Sequence, residues 1–142
     1  MSFAHKLLLL LLFTTIGLHA QVSKANYLFK NHVYGYGVYP IPTIIKTKNG
    51  KLLAFCEERQ SLFDHGNIDL VMKSSLDDGK TWSKLHVLWN EASNTCGNPS
   101  PVIDETTGDV IVLATLNNDK VFVLRSKNEG ESWETPVDIT SS

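Results

Sequence analysis

The sequence predicts an all-β fold of short strands at regular spacing, which means a sandwich, a barrel or a propeller. Three observations carry this. Apolar β-type runs alternate with Gly, Asn and Asp turn signals. No window beyond the first twenty residues sustains a helical period. A strand–turn–tryptophan unit also recurs at a fixed interval, and this selects a propeller or array.

The elements follow in order. Thr43-Ile44-Ile45 precedes Lys48-Asn49-Gly50, and residues 52–56 (LLAFC) follow it. Two apolar runs around an Asn-Gly predict a hairpin. Residues 68–72 form a third run that leads to the turn Asp77-Asp78-Gly79. Val87-Leu88-Trp89 is a weaker strand. Residues 110–113 follow Thr107-Gly108-Asp109, and residues 121–124 follow Asn117-Asn118-Asp119. Pro40, Pro42, Pro99, Pro101 and Pro136 are expected between strands, because proline withholds an N–H from a ladder.

The repeat is explicit. Ser75-Leu76-Asp77-Asp78-Gly79-Lys80-Thr81-Trp82 has the form S-x-D-x-G-x-T-W. Ser126-Lys127-Asn128-Glu129-Gly130-Glu131-Ser132-Trp133 keeps the skeleton, with Asn for Asp and Ser for Thr, 51 residues later. Each copy follows an apolar run. The Asp or Asn is expected to accept backbone amides of its own turn. The Gly is expected to take a positive φ. The Trp should pack back on the sheet while its N–H finds a partner. These residues read as structural. A calcium site at Asp77-Asp78-Gly79 would need more ligands than one short acidic turn supplies.

The first twenty residues read as a secretory signal peptide. His5 and Lys6 give a basic start, an apolar stretch opens at Leu7, and Ala20 is a plausible cleavage point before Gln21. The apolar core is about ten residues, against roughly 20 for a membrane span. The expected domains are therefore 1–20, a signal peptide, and 21–142, a β domain, with secretion to the periplasm or the exterior. The net charge of −2 is unsuited to a phosphate backbone, so nucleic acid is not expected as a partner. Cys56 and Cys96 are the only cysteines. Export permits a disulfide, but two buried thiols fit equally well. There is no C-x-x-C pair and no clustered His/Cys set, so no metal site and no cofactor is expected.

The two repeats resemble the Asp boxes of sialidase propellers. Further stretches point the same way. Tyr39-Pro40-Ile41-Pro42-Thr43-Ile44 is similar to that family's Y-R-I-P-T/A motif, and Phe55-Cys56-Glu57-Glu58-Arg59 to its E-x-R segment. Asp64-His65-Gly66-Asn67-Ile68-Asp69-Leu70 resembles the loop and strand that carry its catalytic aspartate. Asn94-Thr95-Cys96-Gly97-Asn98-Pro99-Ser100-Pro101-Val102 is similar to a stretch of secreted sialidases. The resemblance extends over nearly all of residues 34–133. It implies a six-bladed propeller, of which this chain covers about the first two blades, and an exo-alpha-sialidase that releases terminal sialic acid from glycans. Such enzymes depart from the two-carboxylate scheme because a Tyr is the nucleophile. In that family a Glu activates the Tyr, an Asp is acid and then base, and three arginines hold the sugar carboxylate.

Carried over by residue, the resemblance implies that Asp64 is the acid/base and that Arg59 lines the site. The alternatives are a turn Asp before Gly66 and an arginine ion-paired with Glu57 or Glu58. Asp69 sits in a strand-like run and is expected to be structural. Two departures stand out. Pro40 occupies the position of the first clamp arginine and offers neither charge nor side-chain donor. Arg59 and Arg125 are the only arginines, so the three-arginine clamp and the Tyr/Glu pair are expected in a longer parent chain. A sialidase-like carbohydrate-binding propeller without catalysis is the alternative function.

Overall fold

The computed structural model describes residues 27–31 and 37–141. The expected signal peptide, and residues 34–36 of the family-like region, lie outside the described residues. Among the described residues there is no helix and no segment able to cross a membrane as one.

Among the described residues eight strands form two antiparallel meanders. The first sheet runs in the order β1 (Thr43–Lys46), β2 (Leu52–Arg59), β3 (Ile68–Ser75) and β4 (His86–Trp89). The second runs β5 (Cys96–Ile103), β6 (Val110–Leu116), β7 (Lys120–Ser126) and β8 (Val137–Asp138). The expected β1–β2 hairpin forms around Asn49-Gly50, with Gly50 at φ 90° and Thr47 N–H donating to the Lys51 carbonyl at 2.8 Å. Asn117 and Asn118, both at positive φ, turn β6 into β7 with the twist a tight hairpin needs.

The two sheets bury a common seam. Strand alternation aims Leu53 and Phe55 of β2, with Leu70 and Met72 of β3, at one face. Val110, Val112 and Ala114 of β6 and Leu124 of β7 complete the cluster, together with Trp89 and Cys96. Each such side chain contributes about 1.5–3 kcal/mol on burial. The opposite face of β2 is also closed. Lys73 Nζ donates to the Leu28 carbonyl at 3.0 Å and sits over the Phe29 ring, which stacks on Tyr39. Cys56 lies on that face and Cys96 in the seam. Both are free and buried, and burial drives both thiols towards the neutral form, Cys96 up to about 12.

β5 corrects the sequence reading. Pro99 and Pro101, expected between strands, lie inside it. β5 is an edge strand paired with β6 alone, and its register shifts between Gly97 and Ser100. An edge with a bulge is where a missing N–H costs no ladder bond. β8, two residues long, had no apolar run to announce it.

The two repeat turns, residues 75–82 and 126–133, share one hydrogen-bond plan. Ser75 Oγ accepts the Gly79 N–H at 2.9 Å and donates to Asp77 at 2.8 Å. Ser126 does the same for Gly130 and Asn128, at 2.8 and 3.0 Å. The Asp77 and Asn128 side-chain oxygens accept the amides of Thr81 and Ser132. Thr81 donates its hydroxyl to the Asp77 carboxylate, whereas the Asn128 amide donates to the Ser132 hydroxyl. The Asp-to-Asn exchange thus reverses one donor and preserves the turn. Gly79 and Gly130 adopt φ 83° and 80°. The tryptophans differ. Trp82 donates to the Gly79 carbonyl at 3.0 Å. Trp133 packs edge-on against Phe55, and its buried N–H has no partner among the described residues, contrary to expectation.

Ser126→Ala leaves the Gly130 amide without its acceptor inside the seam. Chemical denaturation is expected to show a loss of about 1–3 kcal/mol. Bonds from Thr81, then from Ser75, lower the Asp77 carboxyl from 3.8 to about 2. Its contribution is therefore present above the unfolded value and is lost as pH falls through the folded one. Wild type is expected to lose stability between about pH 4 and pH 2. Asp77→Asn, the residue the second box already uses, should reduce that loss. Equal acid sensitivity in the two proteins would refute it.

Candidate functional site

The candidate residues gather at one rim, where β2 ends and β3 and β5 begin. The two repeat turns follow β3 and β7 and so lie at the opposite ends of the strands. Eight residues of β3 separate the two rims, roughly 25 Å of extended chain.

Residues 37–40 continue the β1 side of the sheet along the end of β2. Gly37 and Val38 N–H both donate to the Arg59 carbonyl, Arg59 N–H returns to Val38, and Glu57 N–H donates to the Pro40 carbonyl at 3.1 Å. Pro40 thus lies beside the E-x-R segment and supplies its carbonyl to it. The next residue, Ile41, has φ 55°, a strained geometry for a β-branched side chain.

Glu57 and Arg59 are two residues apart on β2 and therefore share a face. Arg59 Nε and Nη2 bind Glu57 Oε2 at 2.6 and 2.5 Å. The pair is buried, with 10 % and 2 % of the two side chains exposed. Removing one partner of such a pair costs about 3–5 kcal/mol, because a buried charge is left alone. The remaining Glu57 oxygen, Oε1, accepts the Asn98 N–H of the second sheet at 2.8 Å. A Cβ at Gly97 would stand 2.5 Å from Oε1, so glycine is required there for the carboxylate to seat.

Asp64 lies on the segment 60–67 between β2 and β3, which follows directly from Arg59. Arg59 Nη1 donates to the Phe63 carbonyl at 3.1 Å and so fixes the residue before Asp64. The Asp64 side chain is 81 % exposed and stands 3.5 Å from His65 Nδ1. The segment is tied at its far end. Thr95 Oγ1 donates to the Gly66 carbonyl, and Ile68 N–H to that of Asn94. Asn117 accepts the Thr95 amide, while Asn98 Nδ2 donates to Thr115 and Asn118. An exposed carboxylate on a segment anchored at both ends can approach a bound substrate and exchange a proton with it.

The structure brings Pro40, Arg59 and Asp64 to one rim and links Arg59 to the Asp64 segment through a backbone carbonyl. It does not put Arg59 and Asp64 in side-chain contact. Asp69 is buried and accepts Asn90 Nδ2 at 2.6 Å, so its structural assignment stands. Arg125 is paired with Asp109 at 2.5 Å on the second sheet. The sequence reading had treated Glu57 only as an alternative ion-pair partner. It bonds both Arg59 and the Asn98 amide, and its position two residues before Arg59 was the available signal. The described residues include no His, Cys, Asp and Glu group able to hold a metal.

No family model matches the sequence. Individual relatives do. The chain is 27 % identical over 143 aligned positions to an exo-alpha-sialidase of Arthroderma benhamiae, an alignment spanning 76 % of this chain and 34 % of that protein. It is 26 % identical to a Bacteroides fragilis sialidase, over 72 % of this chain and 24 % of the other, and 28 % identical to a Clostridium perfringens sialidase, over 78 % and 34 %. Among solved structures, the Hadza microbial sialidase Hz136 superposes with a TM-score of 0.68 at 26 % identity, covering 75 % of this chain and 27 % of that one. The chain therefore spans about a third or less of the length of the relatives it matches. In sequence and in backbone, this chain is a distant relative of the sialidases and corresponds to part of their length.

Proposed function

We propose that this chain supplies the first two blades of a six-bladed sialidase propeller, an exo-acting glycosidase that removes terminal sialic acid from glycoproteins, glycolipids or oligosaccharides. The observation that carries the proposal is the joining of Arg59 to the Asp64 segment at the rim where Pro40 also lies. Asp64 acts as general acid on the glycosidic oxygen and then as general base on the attacking water. Its exposure supports that role, since the carboxyl must meet substrate directly. Arg59 lines the sugar site as a fixed cation. The nucleophilic Tyr, its Glu partner and the remaining clamp arginines belong to the longer protein, which is exported by the signal at residues 1–20.

A second reading is a sialidase-like propeller that binds carbohydrate without cleaving it. Pro40 favours it, because sialic acid loses a charge-assisted contact where the family has an arginine. Such contacts contribute about 1.5–3 kcal/mol each.

A fluorogenic sialoside distinguishes the two readings when offered to the longer protein. Asp64→Ala is expected to lower kcat/KM by roughly 10²–10⁴. Pro40→Arg is expected to lower KM about tenfold or more. Glycan binding with no turnover, unaffected by Asp64→Ala, would favour the second reading. Unchanged KM in Pro40→Arg would show that Pro40 does not occupy the clamp position.

A further inference from the structure

We infer that Glu57 is a positioning residue that latches the Asp64 segment to the second sheet, so that the site takes its shape only when β5 is docked. The inference rests on the reading of Arg59 and Asp64 as site residues. It concerns how they are held.

The chain of contacts is continuous. The β5 bulge presents the Asn98 N–H, at φ 55°, to Glu57 Oε1 at 2.8 Å. Glu57 Oε2 holds the Arg59 guanidinium through Nε and Nη2. Arg59 passes its third contact, from Nη1, to the Phe63 carbonyl beside Asp64. Gly97 leaves the space the carboxylate fills. Residues 60–66 are otherwise exposed along their whole length, so packing does little to hold them.

The chemistry of the latch is selective. Both partners of Glu57 are donors: an amide N–H on one side and a guanidinium on the other. A carboxylate accepts at both oxygens, whereas glutamine accepts at one and must aim its own NH2 at the other donor. Glu57→Gln is thus nearly isosteric and cannot keep both contacts. Glu57→Asp keeps the charge and lacks the reach.

The test needs no sugar, so it separates failure of the latch from failure of the glycosidase reading, which the sialoside assay addresses. The sequence has only two arginines, which makes Arg59 and Arg125 an assignable pair of Nε–H signals in 15N NMR. In Glu57→Gln, the Arg59 Nε–H signal is expected to move to the free-arginine position. Amides of residues 60–67 and of Asn98 should exchange roughly tenfold faster. Arg125, held by Asp109, and the amides of both Asp boxes should not change. Gly97→Ala, which crowds the same oxygen, should reproduce the pattern more weakly. An unshifted Arg59 signal together with loop and Asn98 exchange no faster than in wild type would overturn the latch. If neither variant folds, the wild type decides. A coupling across the hydrogen bond between Arg59 Nε and the Glu57 carboxyl carbon supports the latch, and its absence refutes it.

Discussion

The apolar seam between the two sheets governs both rims of the molecule. Leu53, Phe55, Leu70 and Met72 from the first sheet meet Val110, Val112 and Leu124 from the second. A four-stranded meander alone leaves one apolar face bare, so neither sheet is expected to hold its shape without the other. The seam is tight enough to select small residues. A Cβ on Gly130 would lie 3.0 Å from Leu53 Cδ1, because the second repeat turn packs directly on the Leu53 and Met72 side chains of the first sheet. Trp133 follows it in and closes against Phe55. The same docking brings β5 alongside β1, β2 and β3, which places the Asn98 bulge within reach of Glu57.

Paired polar groups border this seam. At the rim of the repeat turns Lys51 meets Glu131, Glu129 accepts the Asn49 amide, and Lys48 reaches the Glu105 carbonyl. At the other rim Glu57 joins Arg59 to Asn98. Buried ionic groups gain little net stability over apolar ones, because desolvation offsets their attraction. Their effect is geometric: a carboxylate with two donors in fixed directions admits few alternative registers of β5 against β2.

The two rims use similar polar residues for different ends. The two repeat turns are closed by their own Ser75, Asp77 and Thr81 and by Ser126, Asn128 and Ser132, while Asp78 pairs outward with Lys46. At the site rim the side chains reach between elements: Arg59 to Phe63, Thr95 to Gly66, Asn117 to Thr95. Asp64 itself is left facing solvent. Side chains that satisfy their own turn hold its shape, whereas a solvent-facing carboxylate on a cross-braced segment is available for chemistry.

Much of this was legible in the sequence. Alternating apolar runs and Asn-Gly or Asp-Gly turns fixed six of the eight strands, since strand periodicity and turn chemistry are local. The repeat at Ser75 and Ser126 marked both turns for the same reason, down to the positive φ at Gly79 and Gly130. The resemblance singled out Arg59 and Asp64, and the fold carries both to one rim beside Pro40. Three features were decided only by tertiary structure. Pro99 and Pro101 sit within a strand because β5 is an edge, and edge position is a property of the sheet. Trp133 leaves its N–H without a partner among the described residues because the seam claims its ring. Glu57 binds Arg59 from its own strand, a relation the spacing allowed, but its bond to Asn98 joins groups 41 positions apart and exists only because two sheets bury one apolar surface between them.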